Sequence, residues 1–571
     1  MKKSKLSLLV TLAVLSGGSY SAMSHAADTA FYQISEITSS SASNYGPWPT
    51  AMATDKSVAS LTVTNDWFSY FNMAPMGMDL NERFRYELGC TSQMSSDMCS
   101  GFWDGGANRA EQWRKDTITY TNQATSLVNG SSQTEADGIV KGLGASSDEF
   151  VGYKIASSSE NGYYYPRVGI ATISGVTTEL AAPSSFSGVG SYSSANTLLD
   201  LGDGTYLVGG TANTDVAAPG SSLSYCYNGD TYKNGEYRYC PGFNTQAALW
   251  VVTPSATSET ATLATSYYDA DKNVIQTAAV TGLTKLSDGS YLAVGYSSTG
   301  KPGNSALSGR NVAVTWPVTV SNGTATFGTL AKVPLAKGEP AEGKKVLRNT
   351  WAVGTNGTYV IGNQKYNSSK SRNLPVEMFV YTVGSSDDAA LPFADKPFNG
   401  SNSEAAAINA NSQVVGWRDE RSESHSVTNG SPRLQEAFLY NAATGNGWRL
   451  NDLICSGSTA SASTCTQNGK FYYLVYASAI ADDGTIAATA YRYDSYADWS
   501  ARSNATVVQV KLTPATSFAS TNDVPDGYTV TNALPASNVG QNNSNGGGAM
   551  PLWLLLSGLG MGVIRRFKKM S

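Results

Sequence analysis

Apolar and polar positions alternate in short runs along most of the chain, and the runs are cut by glycine, asparagine and aspartate. Alternation with a period of two, broken by turn residues, predicts β-strands joined by tight turns rather than helices. One unit recurs: an apolar strand, an Asp-Gly or Asn-x pair, and a second apolar strand ending near a glycine. The clearest copies are Leu198 to Gly210 and Thr281 to Gly295, followed by Trp351 to Gly362, Ala405 to Gly416 and Ala477 to Ala488. Weaker copies surround Asp55 (Ala51 to Val63) and Asp148 (Ile139 to Tyr153). Gly and Asn reach positive φ cheaply, so each unit reads as a β-hairpin.

A third strand follows most hairpins: Ala247 to Val252, Val312 to Trp316, Glu377 to Tyr381 and Glu436 to Tyr440, whose aromatics are expected to pack between neighbouring sheets. A fourth is visible in places, as in Trp448 to Leu453. The hairpins centre on residues 55, 148, 203, 288, 356, 411 and 483. Four strands repeated about seven times are the parts of a β-propeller. Phe31 to Ile37 reads as an orphan fourth strand before the first hairpin, able to pair with Ala505 to Leu512 and close the ring. The expectation is therefore an all-β chain of about seven four-stranded blades; tandem β-sandwiches or a solenoid are the alternative.

The two ends follow a different pattern. Lys2, Lys3 and Lys5 precede an apolar run from Leu6 to Leu15, and small residues lead to Ser24-His25-Ala26. This predicts a secretory signal peptide, cut by signal peptidase between Ala26 and Ala27. A run of about ten residues is too short to span a bilayer. At the other end a polar stretch, Ser537 to Asn545, reaches Gly546-Gly547-Gly548. A mostly apolar segment, Ala549 to Ile564, and the basic finish Arg565-Arg566-Phe567-Lys568-Lys569 follow. As a helix the apolar segment would be roughly 24 Å long, short of a hydrocarbon core of about 30 Å, and the basic cluster would stay cytoplasmic. The expected organisation is 1–26 signal peptide, 27–515 repeat body, 516–548 polar linker with its glycine run, and 549–571 membrane or sorting segment.

This tail is similar to the GlyGly-CTERM sorting signal of Gram-negative bacteria. The resemblance implies cleavage by a rhomboid-type intramembrane protease (rhombosortase) and passage to the cell surface by type II secretion, with transient inner-membrane anchoring. A plain C-terminal anchor is the other reading. Ala405 to Leu453 also resembles the HAF-type extracellular repeat, although Glu436-Ala437-Phe438 stands where the His-Ala-Phe run would be. Length, layout and ends together resemble a domain-of-unknown-function family (number 3466) of gammaproteobacterial exported proteins, which supplies no activity.

Charge narrows the partners. The 571 residues carry a formal charge of −5, but setting aside the basic residues of both ends leaves 32 basic against 44 acidic, or about −12 for the body. Such a body repels nucleic acid and anionic lipid. Cys90, Cys99, Cys226, Cys240, Cys455 and Cys465 fall in three local clusters, and in an oxidising compartment they are expected to pair as Cys90–Cys99, Cys226–Cys240 and Cys455–Cys465. Metal–cysteine chemistry is disfavoured, since no Cys-x-x-Cys spacing occurs.

Catalytic signals are sparse. Beyond the signal peptide a single histidine, His425, remains, and no nucleophile elbow or phosphate-binding loop appears. The densest charged cluster is Arg418-Asp419-Glu420-Arg421 with Glu423, which could hold an anionic ligand between arginines and use a carboxylate as acid or base; the alternative is a solvated inter-strand loop of mutual salt bridges. Asp203, Asp288 and Asp483, in acidic turns, could be Ca2+ ligands, although turn chemistry alone accounts for them and the EF-hand pattern is absent. Tyr45-Gly-Pro-Trp48 and Tyr163-Tyr-Tyr-Pro166 could stack on sugars or fill space between blades. The reading is a cell-surface binding or structural module with a glycan or protein ligand, no cofactor motif and no nucleic-acid partner. The alternative is a carboxylate-dependent polysaccharide hydrolase or lyase on the same scaffold.

Overall fold

A computed structural model describes residues 29–37, 45–63, 124–128, 131–132, 139–155, 167–183, 193–217, 243–268, 276–299, 310–335, 347–366, 376–393, 401–420, 435–456, 461–515, 523–524 and 528. The described chain forms seven sheets in sequence order, antiparallel except where Ser258–Thr260 joins the second in parallel, and the architecture is that of a β-propeller. The first strands of the sheets are Tyr45–Met52, Ile139–Leu143, Ser193–Asp200, Ala278–Lys285, Leu347–Thr355, Ser403–Ile408 and Phe471–Ile480. Each lies against the first strand of the next sheet, and that of the seventh returns to that of the first. The seventh sheet takes its outermost strand from the other end of the chain: Tyr32–Glu36 pairs antiparallel with Thr506–Pro514.

The hairpins fold as the Asp-Gly pairs direct, with one difference. Only the second residue of each pair has positive φ, as at Gly204 (87°), Gly289 (87°) and Gly484 (85°). The aspartate instead caps the turn through its side chain. Asp288 Oδ1 accepts from the Ser290 amide (2.9 Å) and hydroxyl (2.6 Å), and Asp203 does the same for Thr205 (3.0 and 2.6 Å). In the sixth sheet Ser412 takes the left-handed position at φ 63°.

The glycine that ends five of the seven repeats has a register-based cause. The first strands carry a β-bulge between Val140 and Gly142, Ala195 and Thr197, Val280 and Gly282, Ala352 and Gly354, and Ala405 and Ala407. The residue before each bulge pairs with Gly152, Gly210, Gly295, Gly362 or Gly416 of the second strand. A Cβ at Gly295 would run into the Ala279 carbonyl, and one at Gly416 into that of Glu404. The bulges let the backbone come this close and re-aim the bulged side chain toward the next sheet.

Those side chains, with a few others, stitch the sheets together. Lys141 Nζ donates to Asn196 Oδ1 (2.8 Å), Asn196 Nδ2 to Val280 O (2.8 Å), and Thr281 Oγ1 to Ala352 O (2.8 Å). The Ala405 amide donates to Asn363 Oδ1 (2.8 Å), and Asn409 Nδ2 to Ala481 O (2.9 Å). Lys56 pairs with Asp483 (2.5 Å) and the Asp55 amide donates to Ala145 O (3.0 Å), so the seventh sheet is tied to the first and the first to the second.

Between the sheets lie the third-strand aromatics that the pattern marks for the core: Trp250, Trp316, Phe379 and Phe438, all buried. Trp250 also donates its Nε1 to Ala181 O of the second sheet (3.0 Å). The apolar core between the sixth and seventh sheets joins Leu439, Trp448 and Leu450 to Leu474, Ile486 and Leu512, with Phe31 and Tyr32 of the N-terminal strand. Val524 is buried in the same core, and Tyr528 donates its hydroxyl to Thr29 O (2.6 Å), so the chain just past the last strand lies back over the first.

Two local expectations change. Trp448 to Leu453 is a strand only to Arg449 (Gly447–Arg449), after which one helical turn, Leu450–Leu453, begins. The fifth sheet has three strands, Leu347–Thr355, Tyr359–Tyr366 and Val376–Thr382. Its outer edge is closed otherwise: the Val380, Met378 and Val376 amides donate to Ala390 O, Ser403 Oγ and Asn402 Oδ1. Edge groups satisfied this way offer no template to another strand. Among the described residues no helix is long and apolar enough to cross a membrane; residues 6–15 and 549–564 lie outside them.

Candidate functional site

The sheet ends are unlike each other. One end carries the short first-to-second-strand turns. The other carries the second-to-third-strand connections, which run between residues 63 and 124, 217 and 243, and 419 and 435, among others. Buried polar side chains collect toward the second end: Ser194, Gln246, Ser298, Asn311, Glu377, Glu404 and Glu436 all lie there. The charged cluster picked out in the sequence belongs to this end.

Arg418 and Asp419 are not in a solvated loop. They close the second strand of the sixth sheet, Gln413–Asp419, and with Glu420 they are buried. Arg421, Glu423 and His425 lie outside the described residues. Asp419 Oδ2 accepts from the Asn402 amide (2.8 Å) and its side-chain nitrogen (3.0 Å). Arg418 sits directly across the ladder from Glu436 and donates from Nε to Oε1 (2.9 Å), with its guanidinium over the Phe393 ring at 4.9 Å.

Glu436 is the hub. It is fully buried, and its second oxygen accepts from Arg449 Nε at 2.5 Å. Arg449 continues to Asp452 (3.0 Å) and Glu420 (3.5 Å), and Glu420 also meets Arg502 at 3.4 Å. Burial alone would raise the Glu436 pKa; the Arg449 and Arg418 guanidiniums overcome it and hold the carboxyl below its ordinary value. Glu436 is thus an anion with both oxygens engaged, a poor proton donor or acceptor and a good clasp between strands.

Beside the clasp stands Tyr473, on the first strand of the seventh sheet. It is 5% exposed, its hydroxyl has no hydrogen-bond partner, and Arg502 lies over its ring at 4.8 Å. Burial first, then the nearby charges of Glu436 and Glu420, push its pKa well above the ordinary tyrosine value. Arg502 follows the short helix Tyr496–Ala501, which Ser495 caps by accepting from the Asp498 amide, and takes the left-handed conformation at φ 52°.

Sequence reading found Arg418, Asp419 and Glu420 because they are adjacent. It missed Glu436, Arg449, Tyr473 and Arg502, which reach the same place from four other elements. One signal was present: a glutamate opening an otherwise apolar strand, in Glu436-Ala-Phe-Leu-Tyr and again in Glu377-Met-Phe-Val-Tyr. Glu377 is also fully buried and accepts from Gln364 Nε2 (3.2 Å).

The remaining candidates fall elsewhere. Asp203, Asp288 and Asp483 occupy separate turns, and among the described residues no group of three or more His, Cys, Asp or Glu side chains is placed to hold a metal. Cys455 and Cys465 are joined by a disulfide. Cys90, Cys99, Cys226 and Cys240, the processing positions Ala26, Ala27 and Gly546 to Gly548, and Tyr163 to Pro166 lie outside the described residues.

No curated protein matches the chain. Among solved structures it is similar to an acylaminoacyl peptidase of Pyrococcus horikoshii, with 8% identity and a TM-score of 0.33, covering 79% of this chain and 51% of that one. The chain therefore spans about half the length of that protein. It is similar also to the α-L-arabinanase of Penicillium chrysogenum complexed with arabinobiose, with 10% identity, TM-score 0.27, and coverage of 52% and 77%. The β-propeller domain of the trilobed protease of Pyrococcus furiosus, described as having an open velcro topology, matches with 8% identity, TM-score 0.24, and coverage of 63% and 94%. A family profile matches residues 174–566, more than half of the sequence, and the chain belongs to that family, described as protein of unknown function (DUF3466).

Proposed function

We propose that this protein is an exported cell-surface propeller of seven closed blades that binds or scaffolds rather than catalyses. The observation that carries the reading is the clasp at Glu436: the densest charged constellation of the described chain is spent on itself, with both carboxylate oxygens on buried guanidiniums. A hydrolase working through carboxylates needs one of them to exchange a proton with substrate. The binding face in this reading is the end from which the long second-to-third-strand connections leave, since rigid scaffolds present recognition on such connections. Signal-peptide removal, rhombosortase-type cleavage in the glycine run and type II secretion complete the proposal, with a surface glycan or protein as ligand.

Two measurements test it. Intact-mass spectrometry of protein recovered from the native host should give a chain that starts near Ala27 and ends within Gly546 to Gly548; retention of Arg565 to Ser571 would overturn the sorting step. Purified protein should bind envelope polysaccharide or a surface protein saturably without generating new reducing ends. Reducing ends that appear with the wild type and vanish in Glu420→Gln would replace the binding reading with a hydrolase or lyase.

A further inference from the structure

Tyr473 and Arg502 carry hydrogen-bonding capacity that the clasp does not use. A buried hydroxyl without a partner costs free energy comparable to a lost hydrogen bond, so a partner brought to it recovers that cost. The Tyr473 hydroxyl is such a group, in a residue only 5% exposed. Arg502 commits one nitrogen to Glu420 at 3.4 Å, and its side chain is 38% exposed. Next to them three rings meet on one side of the same strand and helix. Phe471, two residues before Tyr473 and therefore on its face of the strand, lies 5.9 Å from Tyr496 and 6.4 Å from Trp499. Tyr496 and Trp499, three apart on the helix, share a side of it with their rings 5.5 Å apart, and Arg502, at the left-handed C-cap, lies over the Tyr473 ring at 4.8 Å.

We infer that this corner of the seventh sheet is a binding subsite for a neutral pyranose unit of a polysaccharide. Hydroxyls of such a ring would accept from Arg502 and Tyr473 and donate to Glu420, and its C–H face would rest on Trp499 and Tyr496. A pyranose is favoured over an anion because the guanidinium at the mouth is already neutralised by Glu420 and the body is acidic overall. Sugar hydroxyls both donate and accept, which is what a shared Arg–Glu pair beside a tyrosine hydroxyl can satisfy. Aromatic rings supply the apolar surface that such a ring needs on its other side. The inference rests on the proposed role as a surface binding module and gives that module its ligand class.

The test is calorimetric titration of the full-length protein with cellotriose, maltotriose and chitotriose, and with a glucuronate trimer as the charged counterpart. At least one neutral trimer is expected to bind saturably and at least tenfold more tightly than the glucuronate trimer. Tyr473→Phe removes only an unpartnered hydroxyl and Arg502→Ala changes a side chain that is 38% exposed, so neither should lower the melting temperature. Each should weaken binding at least tenfold. Neutral-sugar binding that survives both substitutions would overturn this subsite and leave the binding role standing. Preference for the glucuronate trimer would overturn the ligand class. Absence of binding to the trimers, with whole envelope polysaccharide or a surface protein still bound, would also overturn the subsite; absence of binding to all of them would overturn the role itself.

Discussion

Replacing Glu436 by glutamine keeps the shape of the hub and removes its charge, and the structure says what that should cost. A glutamine offers one acceptor oxygen where the carboxylate offers two. Its amide nitrogen would then point donors at one of the two guanidiniums. Arg449 keeps Asp452 and Glu420, but Arg418, 3% exposed, has Glu436 as its only ion-pair partner among the described residues. An uncompensated charge buried to that degree costs about 3–5 kcal/mol. That is a large share of the roughly 5–15 kcal/mol that holds a typical domain together. Because repeated sheets need not unfold in one step, the assay should be local as well as global. Guanidinium unfolding gives the midpoint shift, and amide exchange in Gln413–Asp419 and Phe471–Ile480 reports whether the loss sits between the sixth and seventh sheets. Lys470→Ala is the control: its pair with Asp494 at 2.9 Å is exposed on both sides, and losing it should leave the unfolding midpoint nearly unchanged. If Glu436→Gln costs no more than that control, the clasp is not what holds these two sheets, and the reading of the cluster fails with it.

Acid should weaken the fold through the same residue. Glu436 has a depressed pKa, so its contribution is present above the ordinary glutamate value near ~4.3 and is lost as pH falls through the lower folded value. Melting temperature should hold between neutrality and about pH 5, fall below it, and fall less steeply in Glu436→Gln; identical slopes would contradict the assignment. Gly295→Ala should destabilise by about 3 kcal/mol, because the new Cβ meets the Ala279 carbonyl, which is backbone and can yield only by breaking the bulge. An unchanged melting temperature in Gly295→Ala would show that the bulge does not set the repeat's glycine.

The fold was legible in the sequence wherever its cause is local. The seven hairpin centres, from Asp55 to Asp483, each fall between the first and second strands of a sheet, because alternation and turn chemistry act over a few residues. The glycine that ends five of the repeats was visible, although its reason, a bulge on the facing strand, was not. The role of Phe31 to Ile37 could be read because a strand with no sheet of its own needs an edge. What failed was settled by neighbours distant in sequence. The fifth sheet's fourth position is filled by single contacts from Ala390, Ser403 and Asn402, and Ser258–Thr260 leaves the third sheet to pair in parallel with Val176–Ala181 of the second. The charged corner was half legible: Arg418 to Glu420 are adjacent, whereas Glu436, Arg449, Tyr473 and Arg502 are gathered only by the packing of two sheets.

The pairing of Tyr32–Glu36 with Thr506–Pro514 also sets a clock. A ribosome adding about 5–20 residues per second takes roughly 25–100 s to travel from one strand to the other. For all that time the earliest-made strand has no mate, while the six sheets between them are completed in turn. Local hairpins form in microseconds, so the sheets need not wait, but their closure into one body must. A chain that stops short of residue 506 therefore has most of its blades and no way to finish, with the half-apolar strand Tyr32–Glu36 open to any other edge. The step that commits this molecule to its fold is almost the last one made.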